Sequence, residues 1–386
     1  MIFSLFGIQF HLLELLTLVI LTISFPARLA FFGTKIVLAK KLFLYIYIYS
    51  FLFFLISIVL SSTNALDHSL VLKAFIKWLE VLLLSLLIFF FTSDEEKFKK
   101  IYWLLLISCI GIVIIRYFEI LIGKYGLFQY RILPGYEAAF SFALLLPLIK
   151  EKKKYIYFLI SLSIVSLILS LSRGAWIASF ICAIYFLQKS KPKLRAVFVL
   201  IFISIVLVVN YLYHINPIIE AKLTSTFLKT SASNLERLNM ILISIEAFLT
   251  HPFLGIGASN FSTFLIHHGL SKFVVAKNIE ALTPHNFFLQ VAAEQGLIGI
   301  FAFSIILFVV YRILFTNNSF REMINKLHYI QGLQLFFIAF VVSLMLGYIS
   351  GPFRFFFGVF SGLSLSLLRL YSHSANIQKR NILTEK

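Results

Sequence analysis

The sequence predicts an all-α polytopic membrane protein, and three observations carry that prediction. Apolar residues make up 60% of the 386 residues and charged residues 13%, with a mean hydropathy of +0.97. Soluble domains run to about half apolar and about a quarter charged. The apolar residues also come in long runs that are apolar on every side, which need lipid or other membrane helices as neighbours. A β-barrel would show short alternating segments instead. Third, 34 basic residues against 16 acidic ones give a net charge of +18, and the basic residues gather between the apolar runs. In a soluble protein that balance would suggest nucleic acid; here it is first a topology signal, because basic residues collect in cytoplasmic loops.

The basic clusters set the order of the elements. They are Lys35/Lys40/Lys41, Lys97/Lys99/Lys100, Lys150 with Lys152, Lys153 and Lys154, Lys189/Lys191/Lys193/Arg195, Arg312/Arg321/Lys326, and Lys379/Arg380/Lys386 in the tail. Placing every cluster on the cytoplasmic side demands an even number of crossings between neighbours. Helix pairs at 42–61 and 74–92, 101–121 and 136–149, 155–171 and 174–188, 196–213 and 285–312, and 328–349 and 354–371 meet that demand. A first pair, 5–24 and 26–39, has Pro26, Arg28 and Lys35 in its second member. Residues 1–25 lack a basic leader and a clear cleavage site, so a retained first helix is expected. The total is about twelve spans with both termini inside. Residues 1–386 form a single integral membrane domain, with 214–284 as its one long outer segment.

That outer segment has structure of its own. Ser233 and Glu236 form a capping box. Leu235, Leu238, Ile241, Leu242, Ile245, Phe248 and Leu249 then recur at helical spacing, with Glu236, Asn239, Glu246 and Thr250 opposite. His251-Pro252 ends the helix. It reads as an amphipathic helix lying along the outer membrane–water interface. Gly255-Ile256-Gly257 is a turn, and the remainder to Pro284 is polar and irregular.

Chemistry is sought where a polar residue stands in place of a cheaper apolar one. Arg173, in Ser172-Arg173-Gly174-Ala175, lies in a tight outer turn against the positive-inside bias. Arg237 lies one turn into the amphipathic helix, while Arg116, Arg131 and Arg354 fall at outer helix ends or loops. Arginines converging on one outer face suit phosphate or diphosphate, which a guanidinium binds through two oxygens. Taken singly each also reads as a headgroup ligand, and for Arg116 and Arg354 that reading is preferred.

His285 opens a membrane helix, with Asn286 or Thr283 as its cap. On a continuous helix it shares a face with the small residues Ala292, Gly296 and Gly299 and so points toward protein. A neutral imidazole there suits a general base; a capping or structural histidine is the plainer alternative. Glu294 falls half a turn out of phase and about 13 Å deeper on such a helix, and reads as a packing residue or as one that supports the residues touching substrate. Cys109 and Cys182 lie inside apolar runs, which excludes a disulfide framework and a cysteine zinc site. No Asp-x-Asp stands in an outer loop, and there is no P-loop, no G-x-S-x-G and no nucleic-acid module.

Four blocks resemble the O-antigen ligase/O-antigen polymerase superfamily. They are Ser172-Arg173-Gly174-Ala175; Arg237 with the run from His251 to Phe261; Pro284-His285-Asn286; and Glu294-Gln295-Gly296-Leu297-Ile298-Gly299. His285, Asn286, Gly296 and Gly299 reproduce a His-Asn, nine residues, Gly, two residues, Gly pattern. The residues after Arg237, Leu238-Asn239-Met240, depart from the aromatic that members often carry there.

The resemblance implies a GT-C-like glycosyltransferase of the bacterial inner membrane with its active site facing the periplasm. It also implies a donor glycan on undecaprenyl diphosphate and a lipid A–core acceptor. By position it implies His285 as catalytic base and Arg173 and Arg237 as donor diphosphate ligands. Asn286, beside His285, and Arg131, among the outer arginines, are the supporting candidates. No metal and no other cofactor is implied, and besides substrates the partners are membrane lipids and not nucleic acid. A polymerase with two lipid-linked substrates is the alternative within the superfamily. A lipid or polysaccharide flippase is the reading from another class, but that needs polar residues lining a path through the membrane.

Overall fold

The computed structural model describes residues 2–5, 8–11, 38–121, 135–170, 172–188, 232–269, 283–315, 328–347 and 351–384, with isolated positions 192, 211 and 214. The expected helices 26–39 and 196–213 fall almost wholly outside these residues, as does Arg131. Two strands, β1 (Ile2–Leu5) and β2 (Ile8–His11), pair antiparallel with Ile2 opposite His11. They occupy the start of the expected first helix. Ile2, Phe3, Ile8 and Phe10 are β-branched or aromatic, and such residues suit extended backbone.

The rest of the described chain is helical. The helices are α1 (Leu38–Ser61), α2 (His68–Phe91), α3 (Glu95–Leu121), α4 (Gly135–Leu145), α5 (Lys154–Ser170), α6 (Arg173–Gln188), α7 (Ala232–Thr250), α8 (Phe261–His267), α9 (Phe287–Phe315), α10 (His328–Leu346) and α11 (Gly351–Thr384). Six of them, α1, α2, α3, α9, α10 and α11, are long and apolar enough to cross a membrane, and α5 and α6 are shorter apolar helices. These six crossings, and not the expected twelve, are what the described residues establish by length and composition.

Several boundaries move for local reasons. Asp67 caps α2 by accepting from Ser69 N at 2.8 Å, so the helix starts before the expected residue 74. The Ser69 side chain first, with the backbone N–H groups of Ser69 and Leu70 adding to it, holds the Asp67 carboxyl below its ordinary pKa. Asp94 accepts from Lys97 N at 2.8 Å, starting α3 early, and this backbone donor lowers its pKa to about 2. Pro147 sits at the start of a 3-10 turn, Leu146–Glu151, that closes the expected 136–149 span. α11 continues well past the expected residue 371.

In lipid, close packing and not hydrophobic driving force holds helices together. Gly358 and Gly362 of α11, one turn apart, admit α2: a β-carbon on Gly362 would meet Ile88 Cβ and Ser85 O at 2.6 Å. Tyr47 of α1 donates toward Ser85 Oγ at 3.1 Å and Ser361 Oγ at 3.0 Å, tying three helices. Trp78 stands edge-on to Phe54 at 5.0 Å, and Phe303 lies 5.0 Å from Phe287. Aromatic pairs of this kind add about 0.5–1.5 kcal/mol each beyond area burial.

The contacts sort the helix ends into two groups. Tyr185, near the end of α6, meets Phe315, at the end of α9, with ring centroids 6.1 Å apart. Gln334 Nε2 donates to Leu314 O at 2.7 Å, Tyr329 to Glu151 Oε1 at 3.2 Å, and Lys150 to Gln331 Oε1 at 3.3 Å. Lys99 lies over the Tyr329 ring. The basic residues around positions 97–100, 150–154 and 312 therefore share one end. The opposite end holds the starts of α4, α6, α9 and α11 and the finish of α10, where Tyr136 donates to Leu346 O at 3.1 Å.

Candidate functional site

Arg173 is the first residue of α6, at the end opposite the lysines. Its turn is built by small residues. A β-carbon on Gly174 would strike the Tyr136 hydroxyl and come within 3.2 Å of Leu346 Cβ, and one on Gly135 would meet Ser170 Oγ and Ser172 Cβ at 2.8 Å. Trp176 N donates to Ser172 O at 3.0 Å, and its indole Nε1 donates to Leu167 O at 2.6 Å. The Ser-Arg-Gly-Ala block thus packs α4, α6 and the end of α10 closely while its arginine stays half-buried.

His285 and Asn286 head α9. Asn286 is the cap: its Oδ1 accepts from Leu289 N at 3.1 Å and its carbonyl from Gln290 N at 2.9 Å. His285 lies before the helix, half-buried, with φ 53. The expected face shared with Ala292, Gly296 and Gly299 does not apply, for two reasons. A residue outside the cap does not follow the helix phase, and the helix is not continuous, since Gly296 breaks it at φ 65, ψ −160. That backbone region is open essentially to glycine alone.

The break explains two of the sequence blocks. An uninterrupted helix would bond Leu297 N to Ala293 O and Ile298 N to Glu294 O. All four groups bond to the turn after α7. Ile256 N donates to Ala293 O at 2.9 Å and Gly257 N to Glu294 O at 3.0 Å, while Leu297 N donates to Pro252 O at 2.8 Å and Ile298 N to Phe253 O at 3.4 Å. Water is absent from a bilayer core, so these partners must come from protein. Leaving such a group unpaired costs about 1–3 kcal/mol. The glycines are what allow the approach. A β-carbon on Gly255 would collide with the Glu294–Gln295 peptide, and one on Gly296 with the Phe253 carbonyl.

Side chains complete the splice. Glu294 Oε2 accepts from Ser259 N at 2.9 Å and its Oε1 from Gln290 Nε2 at 3.2 Å. Asn260, fully buried, accepts from Asp67 N at 2.8 Å and donates to Asp67 O at 3.0 Å. Ala258 N donates to Ser61 Oγ at 3.0 Å, and Asn64 Nδ2 to Gly255 O at 3.0 Å. Ser57 Oγ donates to Gln295 Oε1 at 2.9 Å. The turn is therefore clasped between α9 and the α1–α2 connection. Glu294, expected to pack or to support its neighbours, is part of this polar network.

The helix leading into the turn is α7. Met240, Ile243 and Ala247 bury against Ile256, Phe261, Phe264, Leu265 and Ala293. Leu235, Leu238, Leu242, Ile245 and Leu249 form an exposed apolar stripe. Arg237 lies one turn before Met240 on the side that packs, half-buried, with its Nε buried. Arg237 and His285 thus sit on elements that pack together, and Arg173 on α6, which packs on α10 and through it on α9. Arg354 follows Phe353, whose ring stands 5.5 Å from Tyr136 at the same end. Beside the splice runs an open apolar groove of about 580 Å³ lined by Phe53, Phe253, Leu297, Ile298, Ile300, Phe301 and Ser304. Among the described residues no group of three or more His, Cys, Asp or Glu side chains is placed to hold a metal ion.

All the blocks singled out by sequence now have a place at or near one end of the bundle. Residues 158–304 match the O-antigen ligase family model. The matched segment takes in the Arg173 turn, Arg237, the clasped turn, His285 and the break at Gly296. The resemblance to the O-antigen ligase-like superfamily is therefore shown, and it supports a function of the O-antigen ligase or polymerase type, that of a membrane glycosyltransferase-like enzyme. No curated protein matches the chain.

Proposed function

We propose that this protein is an O-antigen ligase of the bacterial inner membrane, transferring a glycan from undecaprenyl diphosphate to the lipid A–core oligosaccharide on the periplasmic side. The observation that carries the reading is the arrangement of Arg173, the Arg237-bearing helix and His285 at and near one end of the bundle, all inside the ligase-family segment. The acceptor hydroxyl oxygen attacks C1 of the donor sugar, and the C1–O bond to diphosphate breaks. His285 takes the hydroxyl proton, and Arg173 and Arg237 neutralise the charge that develops on the departing undecaprenyl diphosphate. Asn286 holds the start of α9, and with it the position of the base; Arg131 adds positive charge. Arginines at the leaving group perform the task that a divalent metal performs in other diphosphate-using transferases, so the reaction proceeds without metal.

The membrane arrangement follows from the charges. The lysine end faces the cytoplasm, twelve spans in a GT-C-like arrangement complete the domain, and 214–284 is periplasmic. The exposed Leu235–Leu249 stripe of α7 rests on acyl chains at the interface, and the groove beside Phe253 suits the lipid chain of the donor. Labelling with a membrane-impermeant thiol reagent tests the orientation: Lys272→Cys should react in intact spheroplasts, and Lys191→Cys should not.

Two assays test the activity. Purified protein should transfer glycan from undecaprenyl diphosphate to lipid A–core with EDTA present. Deletion of the gene should leave full-length core without O-chain on lipopolysaccharide gels. Core carrying a single repeat would assign the polymerase reaction instead.

A further inference from the structure

Glu294 has no part in the reaction just described, yet packing alone does not explain its presence. It is 5% exposed, inside an apolar helix. A leucine there would fill similar space without the cost of desolvating a carboxyl group. What leucine lacks are acceptors. Both Glu294 oxygens are used, one by Ser259 N at 2.9 Å and one by Gln290 Nε2 at 3.2 Å. Ser259 is itself held at φ 60, a left-handed conformation disfavoured for residues other than glycine.

We propose that Glu294 is a positioning residue that latches the Gly255–Asn260 turn across the break in α9 and so fixes the Arg237-bearing helix against the half-helix headed by His285. The proposal rests on the ligase-type reading for its functional consequence, but the latch itself does not. α7 runs directly into the turn, with Gly255 N bonded to His251 O at 2.8 Å. The turn bonds to α9 on both sides of Gly296. Gln290 and Glu294 lie one helical turn apart on the half that starts at the Asn286 cap. A displacement of the turn therefore passes to α7 on one side and to the His285 end of α9 on the other. Misplacing reacting groups by about 1 Å can cost on the order of 10²-fold in rate.

The test uses full-length protein in nanodiscs and the variants Glu294→Leu, Glu294→Gln and Gln290→Met. Hydrogen–deuterium exchange over residues 253–261 reads the latch without reference to any reaction. Steady-state transfer reads its consequence. In Glu294→Leu, exchange at Ile256–Asn260 should rise by about tenfold, as expected for loss of one buried hydrogen bond. Its kcat should fall by at least about tenfold with donor KM little changed. Glu294→Gln should restore both, since its amide oxygen accepts from Ser259 N and its NH₂ group donates to Gln290 once that amide turns over. Gln290→Met should raise exchange by less, because the Ser259 bond survives.

Wild-type exchange in Glu294→Leu overturns the latch. Raised exchange with unchanged kcat overturns the positioning role. Absence of transfer by wild-type protein overturns the ligase reading and leaves the exchange arm to decide the latch. Should Glu294→Leu fail to accumulate, Glu294→Met, which keeps the length of the side chain and removes both carboxylate acceptors, takes its place: wild-type exchange there overturns the proposal.

Discussion

The two ends of the bundle differ in how their charged groups are paired. At the lysine end the ion pairs join partners close in sequence, most of them exposed: Lys97 with Asp94 at 3.1 Å, Lys99 with Glu95 at 2.6 Å, Lys100 with Glu96 at 2.7 Å and Lys153 with Glu151 at 3.0 Å, beside the remote bonds of Tyr329 to Glu151 and Lys150 to Gln331. At the other end the partners are remote and mostly buried: Ser259 with Glu294, 35 positions apart, Asp67 with Asn260, 193 apart, and Ser57 with Gln295, 238 apart. Local exposed pairs fix little beyond their own helix turn. Long-range buried bonds fix one segment against another, because breaking one strands a polar group in an apolar medium. Such bonds are dense around the turn that lies between the Arg237-bearing helix and α9.

The largest expected effect from breaking this contrast is at the arginines. Arg173→Ala and Arg237→Ala should each reduce transfer below detection while protein accumulates normally. Arg173→Lys and Arg237→Lys should recover only part of it, since an ammonium cannot bind two phosphate oxygens in the fork geometry of a guanidinium. Full activity of both alanine variants in the purified transfer assay would remove the diphosphate clamp.

His285→Ala comes next, with a loss of about 10²–10⁴-fold, the usual worth of a positioned general base. Donor binding, measured separately with undecaprenyl-diphosphate glycan, should stay near wild type because it depends on the arginines. Asn286 already supplies the cap of α9, so a capping role for His285 is taken. Wild-type turnover by His285→Gln would return the histidine to a structural role.

Gly296→Ala should act on stability more than on chemistry. The substitution forces a β-carbon onto the Phe253 carbonyl at a backbone conformation closed to alanine. A loss of at least about 3 kcal/mol is expected from strain and broken bonds together, read as a lowered thermal midpoint in detergent. Gly111→Ala is the matched control. That glycine is in mid-helix with nothing within 4 Å of a would-be β-carbon, so the change should be neutral or stabilise by up to about 1 kcal/mol.

Much of this contrast was legible in the sequence, and the exceptions share one cause. The basic clusters located the lysine end, and the cap of α9 was readable as Asn286 or Thr283 from their place before an apolar run. The Gly296–Gly299 spacing also stood out, but small residues at helical spacing suggest a packing face. The break is dictated by a turn some 40 positions upstream, which no periodicity within α9 reports. The partner of Glu294 was hidden for the same reason, because Ser259 lies in that turn. On α7 the apolar period was correct, but period alone does not say whether an apolar stripe faces protein or lipid. Met240, Ile243 and Ala247 face protein, whereas Leu235, Leu238 and Leu242 are exposed.

The smallest effect is expected at the lysine end, and it sharpens the contrast from the other side. Lys100 is 72% exposed and Glu96 77%, one helical turn apart near the start of α3. Neutralising Lys100 as Lys100→Gln removes an ion pair that water already screens and leaves Lys97 and Lys99 to mark the same helix end. The thermal midpoint and the transfer rate should both stay within measurement error of wild type, in low and in high salt alike. The helix start is held by Asp94, which bonds Lys97 N through its side chain and not through Lys100. A severalfold loss of transfer in Lys100→Gln would mean that the two ends are coupled through α3, and that the lysine end contributes to the reaction and not to orientation alone.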